Sequence, residues 1–178
     1  MASNDDDRRI AFMVGGYNPD TKEFTDFLGD FNKESDRGAV LASAAYIDSL
    51  LASTLRAFLI DNKSAADMVD EYPGAMSSFS SRITACHAMG LISDDERTEC
   101  NIIRKVRNEF AHHARKSLAD KDIESFCSSL KFVFKPKPGE PSPNTRMRFQ
   151  SSAVDMISRL MKRPKAVEGL RLKLQPWP

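Results

Sequence analysis

The distribution of proline constrains this chain more than any other feature. Of its nine prolines, seven lie at or beyond Pro136. The earlier sequence therefore contains long segments with little to interrupt them, and glycine is equally sparse at eight residues. Such segments favour helices over short strands.

The spacing of apolar residues agrees. Phe24, Phe27, Leu28 and Phe31 recur at i, i+3, i+4 and i+7, one face of a helix that Asp20 or Thr21 would cap. A long central helix is expected over about 39–60, where Val40, Ala44, Ile47, Leu51, Leu55 and Phe58 share a stripe. Its small residues Ala42, Ser43, Ala45, Ala52 and Ser53 would let a neighbouring helix approach closely. Shorter helices are expected over about 64–71, ending before Pro73-Gly74, and over about 76–89. Gly90 stands where a helix commonly takes a left-handed terminal residue.

Ser93-Asp94-Asp95-Glu96 then reads as a capping box. Ser93 can accept an amide three residues on, and Glu96 can reach back. The helix it opens carries Cys100, Ile103, Val106 and Phe110 on its apolar side and should run to about Ala114. A helix over about 120–130, a proline-rich loop over 135–144 and a last helix over 146–163 follow, the last stopped by Pro164. Residues 1–8 read as disordered, Ile10 to Val14 as a short apolar run, and Gly15-Gly16 as a turn. The expected fold is all-α: five or six helices over residues 9–163, with the two long ones antiparallel at the centre. Residues 164–178 form a tail that docks through Leu170, Leu172 and Trp177 or frays.

No stretch approaches the roughly 18 uninterrupted apolar residues of a membrane span. The start, Met-Ala-Ser-Asn-Asp-Asp-Asp-Arg-Arg, is unlike a signal peptide, so the expected location is the cytoplasm and no membrane partner is expected. Cys86, Cys100 and Cys127 are widely spaced and read as small buried apolar residues rather than metal or redox groups. No metal or cofactor is expected. Net charge is +1, but Lys131 to Lys173 holds eleven Lys or Arg against Glu140, Asp155 and Glu168. That basic quarter either meets phosphates or is a solvated surface.

Chemistry concentrates in Arg107-Asn108-Glu109-Phe110-Ala111-His112. Asn108 and His112 are four residues apart and share a helix face. Arg107 and His112 are offset by about 140° around the axis. They could line one groove with help from a second subunit. Arg104, Asn108, His112 and Arg115 make a polar and basic stripe. Guanidinium groups hold phosphate by charge-assisted bonds, and an imidazole can move a proton near neutral pH. The 2′-hydroxyl of RNA is itself a nucleophile, so such a group could cut RNA without a metal. A different reading leaves His112 and His113 as C-terminal helix cations and pairs Arg107 with Glu99, Glu109 or a dimer partner.

The run Arg107, Asn108, three residues, His112 resembles the motif of the HEPN superfamily. The resemblance implies a helical, homodimeric, metal-independent endoribonuclease, often a toxin or antiphage effector held by an antitoxin or other protein regulator. Arg107, Asn108 and His112 would be catalytic, and Arg104, Arg115 and Lys116 would bind RNA. The wider chain, over about residues 37–115, resembles the mannitol operon repressor (MltR-like) family. The supporting stretches are the 39–60 helix, Phe79-Ser80-Ser81-Arg82-Ile83, Met89-Gly90-Leu91-Ile92-Ser93 and the Arg107–His112 helix. That likeness implies a non-enzymatic transcriptional regulator working through protein contacts. An RNA-binding module that does not cut is the third reading.

Overall fold

Local capping chemistry sets where most helices of this chain begin. The computed structural model describes residues 22–136, 138, 139 and 141–177, and among them there are eight helices and no strand. The expected cap at Asp20 or Thr21, the disordered start, the 10–14 run and the Gly15-Gly16 turn lie outside the described residues. Helix α1 spans Lys22–Phe31 and buries Phe31. Phe27 bridges from α1 to the next helix, stacking on Phe31 at 5.2 Å and meeting Tyr46 edge-on at 5.1 Å.

Helix α2, Asp36–Phe58, begins three residues before the expected start. Ser35 is its cap, accepting the Gly38 amide at 3.1 Å, and Asp36 complements the positive first turn. Packed against α1, α3, α4, α5, α7 and α8, α2 is the centre of the fold. Its face of Val40, Ala44, Ile47, Leu51 and Leu55 is fully buried. Ser43 and Ala52 are buried too, whereas Ala42 and Ala45 face outward. By length and composition α2 could cross a membrane, which qualifies the expectation that no stretch comes near that limit. Half of the apolar window is buried, as expected of a core helix.

Helices α3 (Lys63–Asp70) and α4 (Phe79–Ala88) are capped by Asn62 and Ser78. Gly90 takes φ +69°, the left-handed conformation expected after α4. Helix α5 spans Asp94–His112, α6 Lys121–Ser128, α7 Thr145–Met161 and α8 Arg163–Glu168. Pro164 does not end the helical region. It sits in the first turn of α8, where its missing N–H has no helical partner to lose. Val167 of α8 is buried, so the bundle extends past the expected boundary at 163. Of the two expectations for the tail, docking through side chains is not met at Leu170 and Trp177, 66% and 83% exposed, although the Leu172 amide bonds the Phe58 carbonyl.

The capping box of α5 forms as the sequence predicts. Ser93 Oγ accepts the Glu96 amide at 3.2 Å, and Glu96 accepts the Ser93 amide at 2.8 Å. Glu96 is 4% exposed and is also gripped by Arg163, whose Nη2 lies 2.7 Å from Oε1. Burial works to raise the Glu96 carboxyl, but the Arg163 hydrogen bonds and the Ser93 amide hold it below the usual carboxylate range. Replacing Ser93 with alanine is expected to cost about 1 kcal/mol, the usual loss for such a cap. A denaturant midpoint unchanged by Ser93→Ala would assign the start of α5 to the Arg163–Glu96 contact instead.

Candidate functional site

The motif lies in the last turn and a half of α5. One side of that helix, Cys100, Ile103, Val106 and Phe110, is fully buried. Phe110, between Arg107 and His112, therefore anchors the motif to the core. Arg107 and His112 are exposed and Asn108 is half-buried. Arg107 Nη1 donates to Asn108 Oδ1 at 3.1 Å, tying those two side chains together.

Neither Glu99 nor Glu109 pairs with Arg107. Glu99 is fully buried and accepts from the Lys131 and Phe132 amides and from Ser152 Oγ. Glu109 faces His113 at 3.6 Å and Lys116 at 3.8 Å. His113 is the residue at which α5 ends, and His112 is the basic residue of its last turn, so both histidines stand at the helix end. Among the described residues, the side chains of His112 and Arg115 enter no hydrogen bond or ion pair. Arg104 is half-buried, and its Nε has no hydrogen-bond partner.

Lys116 differs from these. Its ammonium hydrogen-bonds Asp122 and lies 3.7 Å from Asp120 and 3.8 Å from Glu109, with the side chain only 16% exposed. The Asp122 hydrogen bond, with these neighbouring carboxylates, raises its pKa. Lys116 is thereby held in the turn after α5 rather than left free to meet RNA. His87 also has a partner that the sequence did not suggest: its Nε2 lies 2.9 Å from Asp94 Oδ1, joining α4 to the start of α5.

The segment behind the motif is fixed by residues that local sequence reading missed. Arg37, in the first turn of α2, donates to the His113 carbonyl, satisfying one of the open carbonyls at the end of α5. Asp36 accepts from the Leu118 amide at 2.9 Å and from Ser117 Oγ at 3.2 Å. Arg146 of α7 bonds Asp36 and also donates to the Glu34 carbonyl at 2.7 Å. Burial works to raise the Asp36 carboxyl, yet the hydrogen bonds from Leu118, Arg146 and Ser117 leave it below the ordinary range. These contacts bring the start of α2 to the end of α5, so the two long helices run antiparallel, as expected.

The three thiols are buried, in line with the sequence reading. Burial pushes those of Cys86 and Cys127 up to about 12, which leaves negligible thiolate for nucleophilic chemistry. Comparison with known proteins adds no assignment: no family model, curated protein or solved structure matches this chain.

Proposed function

We propose that this chain is a HEPN-type, homodimeric, metal-independent endoribonuclease of the toxin or antiphage class. One observation carries the reading. At the end of α5, Arg104, Arg107, His112 and Arg115 have no acid partner among the described residues, while the nearby cations Lys116 and Arg146 are held by carboxylates. Cations without partners beside an exposed imidazole suit a phosphodiester. The bundle, its long helices and the motif's place late in α5 also fit the HEPN and MltR-like resemblances.

In this scheme Arg107 holds a non-bridging phosphate oxygen and stabilises charge as it builds there. The 2′-hydroxyl attacks the adjacent phosphorus and loses its proton, while the 5′-oxygen leaves and gains one. The products are a 2′,3′-cyclic phosphate and a 5′-hydroxyl end. His112 moves a proton in this exchange. Asn108, bonded to Arg107, orients the guanidinium. Arg104 and Arg115 extend the contact to flanking phosphates. The offset of about 140° between Arg107 and His112 is met by pairing the α5 helices of two copies across the RNA.

Purified protein is expected to cut single-stranded RNA in EDTA. Arg107→Ala and His112→Ala are each expected to reduce the rate by about a hundredfold or more, the usual scale for a general acid or base. Their circular dichroism should not change, because both side chains are exposed. His113→Ala should matter less, since that residue faces Glu109. RNA affinity should fall with added salt. RNA binding without cutting would leave a binding module. A folded protein with no RNA affinity would leave the MltR-like regulator as the better reading.

A further inference from the structure

We infer that Arg37, in the first turn of α2, is a positioning residue for the motif: it fixes where α5 ends, and with that the places of His112 and Arg115. The catalytic consequence rests on the RNA-cutting reading given above, whereas the structural one does not. Nothing nearby in the sequence stops α5. From Leu91 to Lys135 there is no glycine or proline, so the left-handed Gly90 that follows α4 has no counterpart here. Ala114, Arg115 and Lys116 are good helix formers and would carry the helix on. The chain instead leaves the helix at His113, with φ −121° and ψ 108°, and turns through Ala114 and Arg115. There the His113 carbonyl accepts from the Lys116 amide at 3.3 Å and from Arg37 Nη2 at 2.5 Å. The hydrogen bond of the turn itself is the longer of the two. The Asp120 and Asp122 carboxylates act on Lys116, beyond the stop. The side chain that acts at the stop is Arg37, 76 residues away.

Arg37 is suited to this part. Its neighbour Asp36 is held by Arg146 and by the Leu118 amide, which pins the backbone that carries Arg37. Arg37 has no carboxylate partner among the described residues, so its charge is left to complement the negative end of α5. His112 and Arg115 need such a brace. With no hydrogen bond or ion pair on either side chain among the described residues, each is placed by its backbone alone. Phe110 seats the helix in the core, but His112 stands between that anchor and the stop, and Arg115 lies past it. Without Arg37, residues His112 to Lys116 can fray or join the helix. Either outcome moves the imidazole or the Arg115 guanidinium relative to a phosphate held by Arg107.

Arg37→Met keeps the apolar stem and removes the donors, and Arg37→Lys restores a donor. In the full chain, the backbone amide NMR signals of His112 to Lys116 are expected to move or broaden in Arg37→Met. Those of Ser93 to Arg97, at the other end of α5, should stay in place, and Arg37→Lys should lie close to wild type. In RNA cutting, Arg37→Met is expected to lower kcat by about tenfold or more, the scale of a misplacement of about 1 Å, with KM changed by less than about threefold. Arg37→Lys should recover most of that rate. Wild-type signals from His112 to Lys116 in Arg37→Met would overturn the inference and leave the end of α5 to the turn itself. A loss carried by KM rather than kcat would also overturn it, making Arg37 a phosphate contact. A wild-type protein that does not cut RNA would sink the proposed function instead, and the NMR signals would still decide what Arg37 holds.

Discussion

Replacing Phe110 with alanine should cost about 3–5 kcal/mol of stability, the range for a large aromatic lost from a close-packed core. Phe110 is fully buried on the same α5 face as Ile103 and Val106. Its removal leaves a cavity under the last turn of the helix, which surrounding side chains can fill only in part. The effect should extend to function, because Arg107 and His112 project from the turn that Phe110 seats. RNA cutting by Phe110→Ala should therefore fall at temperatures where the protein is still folded. Urea unfolding with the wild-type midpoint would mean that this face of α5 is not packed as described.

Glu99→Ala is expected to be as damaging, for a different reason. Glu99 is fully buried, and its carboxylate accepts three hydrogen bonds. The Lys131 and Phe132 amides lie at 3.1 and 3.0 Å, and Ser152 Oγ at 2.6 Å. Alanine leaves the buried Ser152 hydroxyl and two part-buried amides without this acceptor, at about 1–3 kcal/mol for the buried group and less for the others, so a loss of roughly 3 kcal/mol or more follows. Glutamine separates hydrogen bonding from volume. Its single carbonyl oxygen can keep the two bonds now made by Oε1, but not the Lys131 amide bonded to Oε2. Its expected loss is about 1–3 kcal/mol. Equal midpoints for the alanine and glutamine variants would show that the hydrogen bonds are not what holds this junction of α5, α7 and the α6–α7 connection.

What could be read in advance was what neighbouring residues decide among themselves. The Ser93–Glu96 box, the left-handed Gly90 and the buried stripe of α5 depend on spacings of three to seven residues, which sequence displays directly. The start of α2 was also locally encoded, in Ser35-Asp36, but the apolar pattern becomes regular only later. Pro164 misled because the residue that stops one helix is equally suited to open the next. The state of each cation near the site was not legible. Arg107 and Lys116 look alike in the sequence, and only the turn that carries Asp120 and Asp122 past Lys116 separates them. Glu99 was ambiguous for the same reason, since its partners lie 32 to 53 residues away.

The contacts that fix the two ends of α5 also bear on when the motif becomes competent. The capping box can form as soon as residues 93–97 exist. The Arg163 grip on Glu96 spans 67 residues, the Asp36–Leu118 bond 82 and the Arg146–Asp36 pair 110. Closing loops of that length is an entropic cost met only when long-range packing forms, so these contacts come late in folding. Synthesis runs from the N-terminus, so Arg146 and Arg163 are made after Arg107 and His112 and neither contact can form until most of the chain exists. Until then the helix lacks the Arg163 grip at its start and the Arg146 brace on Asp36 at its end. Under the proposed RNA-cutting function, order of synthesis thus delays assembly of the complete site until most of the chain has been made.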